Sequence, residues 1–211
     1  MSLRIAFALR TGAPMCVEHR CICERTVDTL GHHGLCCVKS KGRPRHSALN
    51  DVIQRALGSA KVPSVLEPAG LGRTDAIRPD GMMFYAWKNC KRLAWDVTVS
   101  DTFAETYIWR TSAGKAAEQN EARKVNTYAE LEDRFYFQPA AFETMGVWGP
   151  STTEFLKDLS QRIAHQTGEP RAGEYLRQRI SIEIQRGNAI SVLGTAESRK
   201  NVDELFTLLK F

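Results

Sequence analysis

The chain has 211 residues, 43% of them hydrophobic and 25% charged, which is the composition of a folded domain and excludes an intrinsically disordered segment. No apolar run approaches the roughly 18 residues of a membrane-spanning helix, and Arg10 interrupts the short apolar start, so neither a membrane partner nor a signal peptide is expected. The net charge of +5 lies entirely in residues 1–46, where eight Lys and Arg face three Asp and Glu, and this bias is typical of proteins that bind a polyanion, most simply nucleic acid.

The first 45 residues differ from the rest of the chain in composition. Residues 1–15 show little periodicity, and no helix or strand is predicted there. Residues 16–45 hold five of the six Cys, together with His, Gly and basic residues, but few large apolar side chains. Clustered Cys with nearby His, without a recognisable secretion signal, favours a metal site over disulfides. The sequence therefore predicts a basic N-terminal zinc-knuckle module over residues 1–45, nucleated by its metal.

The spacing of Cys and His in this module predicts a structural Zn²⁺ site, because thiolates and a neutral imidazole suit tetrahedral zinc. The preferred ligands are Cys21, Cys23, His33 and Cys37. Gly31 and Gly34 flank the histidine and allow tight turns. The assignment is not unique, and the residues that could replace or join this set are Cys16, His19, His32, Cys36 and His46.

A basic stretch links the module to the remainder of the chain and consists of Lys39, Lys41, Arg43, Arg45 and His46. It leads into the first predicted core helix. Phosphates bind well at a helix N-terminus, where backbone N–H groups point outward. We therefore expect these residues to contact a DNA backbone.

Residues 46–211 are predicted to form a compact α/β core with a mixed sheet, followed by a C-terminal helical extension over residues 149–211. The first helix is indicated by apolar residues at helical spacing, and the strands by β-branched and aromatic runs. Gly187 is expected to shorten the helix that contains it. Helices are predicted over 46–57, 115–131, 151–165 and 174–193, with a weak one over 202–209, and strands over 64–68, 81–87, 92–99 (central) and 135–142. From residue 46 the order is α-β-β-β-α-β.

Two acidic residues lie on neighbouring predicted strands. Asp80 follows Pro79 at the start of one strand, and Asp96 lies inside the apolar run Leu93–Val99 of the next. A carboxylate within an apolar strand needs a partner, and a metal ion is a suitable one. Paired carboxylates hold Mg²⁺, which serves phosphate chemistry. The sequence therefore predicts a magnesium site where the two strands meet.

A Pro-Asp step, then an acid on the next strand, within an α-β-β-β-α-β order, resembles the PD-(D/E)XK restriction-like nuclease superfamily. With the Cys/His knuckle and the Arg45-His46 step included, residues 16–145 look like the restriction-like endonuclease region of site-specific non-LTR retrotransposons. The resemblance implies a restriction-endonuclease-like core and a Mg²⁺- or Mn²⁺-dependent endonuclease that nicks or cuts DNA. It also implies an intracellular, nuclear protein that, within a retroelement, has a reverse transcriptase or RNA as further partner.

The same resemblance assigns roles to residues of the core. Asp80 and Asp96 are expected to be catalytic metal ligands, joined by Glu67 and the carbonyl of Val97. The metal would bind the scissile phosphate and lower the pKa of the attacking water. Arg78, beside the Pro-Asp step, is expected to contact DNA.

One position departs from the superfamily pattern. The Lys expected two residues after the second acid is Thr98 in this chain. In retrotransposon-type members a Lys in the following helix takes that role, and Lys124 matches it, with Lys115 as the alternative. Lys124 would orient the attacking water or stabilise charge on the phosphate. Thr98 equally leaves open a catalytically inactive, zinc-stabilised nucleic-acid-binding module on a decayed nuclease fold.

Overall fold

The structure is a computed structural model and describes residues 2–40, 44–69, 78–104, 112–131, 133–197, 202 and 204–206. Its elements, in chain order, are helix α1 (Ser2–Thr11), strands β1 (His19–Arg20) and β2 (Thr26–Val27), helices α2 (His33–Cys36) and α3 (Pro44–Ser59), strands β3 (Ser64–Leu66), β4 (Gly81–Lys88) and β5 (Lys91–Ser100), helix α4 (Lys115–Thr127), a 3-10 turn (Ala129–Leu131), strand β6 (Phe135–Glu143), and helices α5 (Pro150–Thr167) and α6 (Ala172–Leu193).

A four-stranded mixed sheet forms the centre of the fold, in the order β3-β4-β5-β6. The pairs β3–β4 and β4–β5 are antiparallel, whereas β5 and β6 run parallel. A parallel pair needs a crossover connection, and the segment between β5 and β6 contains α4. The predicted α/β class, the mixed sheet and the central position of the strand over 92–99 are confirmed.

The larger core lies on the face of the sheet that α3, α5 and α6 cover. Trp95 on β5 is completely buried there, and its indole N–H donates to Asn50 Oδ1 on α3 at 3.0 Å. The Trp95 ring lies against Gly81, where an added Cβ would approach the ring within 2.0 Å. This contact fixes the start of β4 against β5, directly beside Asp80 and Asp96.

Helix α4 covers part of the opposite face. A smaller buried cluster there consists of Met82, Ala94, Tyr128, Leu131 and Phe135. Successive side chains of a strand point to opposite faces, so Ala94 and Asp96 share the α4 face while Trp95 points to the other. The strand pattern thus turns the Asp96 carboxylate toward α4.

The N-terminal residues form a second core with α6. The buried residues of this second core are Ile5, Ala8, Leu9, Met15, Cys16, Cys21, Val27, Leu35, Ala189, Val192 and Phe206. Residues 1–15, whose sequence shows little periodicity, contain α1, which packs Ile5, Ala8 and Leu9 into this core. Leu3 and Phe7 on its outer face are exposed and mask the helical pattern. The N-terminal module therefore also buries apolar side chains, while a domain boundary at residue 45 stays a prediction.

Two local expectations for the C-terminal helices are wrong. Gly187 does not shorten α6, which continues to Leu193. The missing side chain of Gly187 leaves room for Arg45, whose Cγ would lie 2.3 Å from an added Cβ. The Ser and Thr residues at the start of the helix predicted over 151–165 indicate a side-chain N-cap, but the N-cap of α5 is Gly149, with no side-chain hydrogen bond. Glu121 of α4 accepts hydrogen bonds from the N–H groups of Ser151 (3.1 Å) and Thr152 (2.8 Å) instead.

Of the weak helix expected over 202–209, positions 202, 204 and 205 are helical, residue 206 is a turn, and the others lie outside the described residues. Among the helices that the structure describes, none is both long and apolar enough to cross a membrane.

Candidate metal and catalytic centres

Asp80 and Asp96 stand opposite each other at the end of the β4–β5 pair. The strands are antiparallel and Gly81 pairs with Trp95, so the next positions outward are 80 and 96. The Val97 N–H donates to Asp80 Oδ2 at 2.6 Å. The side chain of Asp80 thus accepts a hydrogen bond from the backbone of β5 just before β4 begins.

The Asp96 carboxylate is buried, with 5% of the side chain exposed, and contacts two residues near the end of α4. Lys124 Nζ lies 2.6 Å from Oδ1, and the Tyr128 hydroxyl donates to Oδ2 at 2.6 Å. Apart from this ammonium, the buried Oδ1 has no donor beside it among the described residues. A buried carboxylate oxygen with spare acceptor capacity is suited to a cation.

The Asp80 carboxylate is held from the N-terminal turn of α3. His46 Nε2 lies 2.9 Å from Asp80 Oδ2, the oxygen that also accepts from Val97. Burial alone would raise the pKa of Asp80, but the hydrogen bond and charge of His46, together with the Val97 N–H, outweigh burial and hold that pKa below its usual value. Asp80 is therefore ionised at neutral pH.

Asp96 differs electrostatically from its neighbour. Burial raises the pKa of Asp96, and the negative charge of Asp80 raises it further, against the opposing effects of Lys124 and Tyr128. Two carboxylates that repel each other in a buried place are stabilised by a shared cation. Mg²⁺ binds through one or two carboxylates plus waters and phosphate oxygens, so this pair fits it.

A cleft of about 430 Å³ runs from the Cys/His module to His46 and Lys124, the side chains that contact Asp80 and Asp96. Residues 35–38 form one side of it and residues 97–99 of β5 another. Its charged lining residues are Arg45, Arg123, Lys124 and Asp101, with His46 beside them. Three cations against one carboxylate make the cleft suitable for a phosphodiester chain.

The four preferred zinc ligands lie together. The ligand atoms of Cys21, Cys23, His33 and Cys37 all lie within 4.8 Å of one another. Cys21 Sγ is 3.5 Å from Cys37 Sγ, and Cys23 Sγ is 3.1 Å from His33 Nε2. Burial lowers the pKa of His33, which favours the neutral imidazole that a metal needs. This cluster can bind a metal ion such as zinc.

The other Cys and His side chains considered as ligands have different partners. Cys36 is exposed, and Cys16 is buried with its thiol donating to Asp28 O at 3.3 Å. His32 stacks on Phe103 with ring centroids 4.6 Å apart. His19 lies 3.0 Å from Thr195 Oγ1, and His46 contacts Asp80.

The residues expected to bind DNA fall into several environments. Lys39 is exposed, while Lys41 and Arg43 lie outside the described residues. Arg45 donates to Leu35 O at 2.6 Å and to Asn188 Oδ1 at 2.9 Å, so it joins the Cys/His module to α6 while also lining the cleft. Arg78 is ion-paired with Glu67. Contact of these side chains with DNA stays a prediction.

Three other candidate positions have different surroundings. Glu67, predicted as a third magnesium ligand, is 69% exposed and paired with Arg78. Among the described residues, no third Asp, Glu, His or Cys forms a metal-ligand cluster with Asp80 and Asp96. Lys115, the alternative to Lys124, pairs with Glu118 at 2.7 Å on the exposed side of α4. Thr98 lines the cleft in the position where the superfamily has Lys.

The sequence does not single out Tyr128 as a residue of the site, because an aromatic ring at an apolar helix position is typical of a core residue. A signal was present, since Lys124 and Tyr128 are four residues apart and so lie on one side of a helix. Asn50 is not singled out either, although it accepts from Trp95 and helps to lower the pKa of Asp80.

Searches of protein-family models and of curated proteins found no match to this chain.

Proposed function

We propose that this chain is a metal-dependent DNA endonuclease that hydrolyses a phosphodiester bond. The observation that carries the proposal is the meeting of Asp80, Asp96 and Lys124, from three separate elements, beside a basic cleft. Carboxylates for a divalent cation and an ammonium for phosphate charge are the groups that this hydrolysis needs.

Asp80 and Asp96 would hold Mg²⁺, which when bound supplies Lewis acidity toward a phosphodiester. Lys124, 24% exposed and reaching into the cleft, places positive charge beside that phosphate and can orient a water. His46 and the Val97 N–H keep Asp80 ionised and fixed in direction. The Cys/His module forms one side of the cleft, so bound zinc would keep that side in place for DNA.

The finer identification rests on the sequence resemblance. A restriction-endonuclease-like core, membership of a retroelement, a reverse transcriptase or RNA as partner and a nuclear location all belong to this proposal. The α-β-β-β-α-β order around the mixed sheet is compatible with such a core.

The proposal is tested with Asp96→Ala in a plasmid-nicking assay. The variant should lose Mg²⁺-dependent conversion of supercoiled to open-circular plasmid while keeping its affinity for DNA, because the acid binds metal rather than DNA. Asp158→Ala is the matched control, since Asp158 pairs with Arg162 on an exposed surface of α5 and should not affect cleavage. Equal cleavage by Asp96→Ala would end the nuclease proposal.

A second function is favoured by one specific observation. Lys124 already neutralises Asp96 at 2.6 Å, and Thr98 occupies the usual Lys position. A chain in which this ion pair is only structural would be an inactive, zinc-stabilised nucleic-acid-binding module. Such a module binds plasmid with the same affinity in EDTA and in Mg²⁺ and does not nick it in either, provided that zinc stays bound.

A further inference from the structure

Tyr128 lies directly behind the acidic pair. It follows the last residue of α4, is 2% exposed, and stands one helical turn beyond Lys124. Its ring stacks on Phe137 of β6 with centroids 4.5 Å apart and belongs to the smaller buried cluster of the sheet. Packing thus fixes the ring whether or not its hydroxyl forms a hydrogen bond.

The hydroxyl has two acceptors within reach. Asp96 Oδ2 is 2.6 Å away, and the carbonyl oxygen of Arg78 is 2.8 Å away. A phenol has one proton, so it donates to one of them at a time. The ionised carboxylate is the stronger acceptor and takes the proton by preference.

Lys124 and Tyr128 therefore contact different oxygens of one carboxylate. The ammonium is beside Oδ1 and the phenol beside Oδ2. The two oxygens of an isolated carboxylate are equivalent, and the group can rotate between orientations. Here the buried phenol makes them different, because it fixes Oδ2 and leaves Oδ1 with the ammonium as its one neighbouring donor among the described residues.

We propose that Tyr128 is a positioning residue, which holds Asp96 so that Oδ1 faces the cation. The inference rests on the proposed magnesium site and goes beyond it by naming the group that orients its buried ligand. Hydrogen-bond partners of this kind orient metal ligands, and their loss typically costs about 10- to 100-fold in metal affinity.

Tyr128→Phe removes the hydroxyl and keeps the ring that packs on Phe137. Asp96 Oδ2 then has lost a donor that the structure shows, and the carboxylate is free to rotate. We expect the variant to fold, with a modest fall in Tm, and to bind the cation more weakly.

The experiment measures binding and does not require cleavage. Zinc-loaded protein is titrated with Mn²⁺, and free Mn²⁺ is followed by electron paramagnetic resonance. The binding component that disappears in Asp96→Asn defines the site. For that component, Tyr128→Phe should raise the Mn²⁺ Kd about 10- to 100-fold. Tyr85→Phe, which removes an exposed hydroxyl from β4, should leave it unchanged.

An unchanged Mn²⁺ Kd in folded Tyr128→Phe, with only a lower Tm, would show that the tyrosine is structural and overturn the proposal. The absence of any Asp96-dependent Mn²⁺ component in the wild-type protein would overturn it as well. If wild-type protein binds Mn²⁺ through Asp96, loses that affinity in Tyr128→Phe, and yet cleaves no DNA, then the positioning role stands and the nuclease proposal fails.

Discussion

Replacement of Lys124 by Met tests the electrostatics of the site without involving DNA. The side chain keeps its length and much of its apolar contact, but the charge that lies 2.6 Å from Asp96 Oδ1 is lost. Asp96 is 5% exposed, whereas Lys124 is 24% exposed, so water hydrates the ammonium better than the carboxylate. The variant therefore leaves an almost buried carboxylate without its counter-ion.

Breaking a buried ion pair by removing one partner costs about 3–5 kcal/mol. The loss of stability has an upper limit, because Asp96 can take up a proton in the folded variant instead of remaining as an unpaired buried charge. With an unfolded pKa of about 3.9 and roughly 1.4 kcal/mol for each pH unit, neutral Asp96 costs about 4 kcal/mol at pH 7. We expect a loss of about 3 kcal/mol, near the lower bound, because Lys124 is partly hydrated. A urea slope of about 2 kcal/mol/M converts this loss into a midpoint shift of about 1.5 M.

The loss should depend on pH in a definite direction. The folded-state pKa of Asp96 is raised, mainly by burial and then by Asp80, so the folded protein binds this proton more tightly than the unfolded chain does. Stability from this group is present below the unfolded pKa and is lost as the pH rises toward the folded pKa. Removal of Lys124 raises the folded pKa further, so the defect should be largest near pH 7 and disappear near pH 4.

The assay is urea unfolding of the wild type, Lys124→Met and Lys115→Met at several pH values, with and without Mg²⁺. Lys115 pairs with Glu118 on the exposed side of the same helix, and its loss should cost at most about 0.5 kcal/mol. Mg²⁺ should restore stability to Lys124→Met by about 2.7 kcal/mol at a concentration 100 times its Kd. Equal losses in both Lys variants, or no recovery with Mg²⁺, would refute the reasoning.

Three further substitutions test other parts of the structure. Cys37→Ser should lose bound zinc in elemental analysis and lower Tm, whereas Cys36→Ser should do neither, because only Cys37 belongs to the cluster. Glu121→Gln should destabilise the protein by about 1–2 kcal/mol in urea, since its charged oxygens accept from the first turn of α5. Gly81→Ala should cost about 3 kcal/mol and alter near-ultraviolet circular dichroism, because the new Cβ would lie 2.0 Å from the buried Trp95 ring.

Each of these has an outcome that contradicts it. Zinc retained by Cys37→Ser would show that the ligand set is different. Glu121→Gln is compared with Glu118→Gln on the exposed side of α4, and equal stability of the two variants would refute the capping role. For the glycine the control is Gly58→Ala in α3, where an added Cβ meets nothing within 4 Å and should stabilise by about 0.5–1 kcal/mol. Similar effects at both glycines would contradict the packing of Trp95.

The strands were predictable from sequence because their apolar and β-branched runs are long and end at turn residues. The acidic pair was predictable for a related reason, since Asp96 interrupts an apolar run where a solvent-exposed carboxylate is not expected. The family resemblance then pointed to a Lys in the helix after that strand, which is either Lys115 or Lys124. Only the fold could decide between them, because the two lie on different sides of α4.

The remaining features depend on contacts between distant parts of the chain. Tyr128 meets Asp96 across 32 residues, and Glu121 meets Thr152 across 31. No local pattern reports such a pairing. The choice between Cys36 and Cys37 as a metal ligand depends on local structure instead. The two thiols are adjacent in sequence, so the spacing of the ligands does not distinguish them. Cys36 is the last residue of α2, and the extended backbone at Cys37 (ψ 119°) marks the point where the chain leaves the helix.

The central claim is that Asp80, Asp96 and Lys124 form a metal-dependent DNA-cleaving site, and plasmid nicking by the zinc-loaded wild-type protein tests it most directly. The account predicts conversion of supercoiled to open-circular plasmid in Mg²⁺ and none in EDTA. Plasmid that stays supercoiled in millimolar Mg²⁺, although the protein demonstrably binds it, would contradict the account.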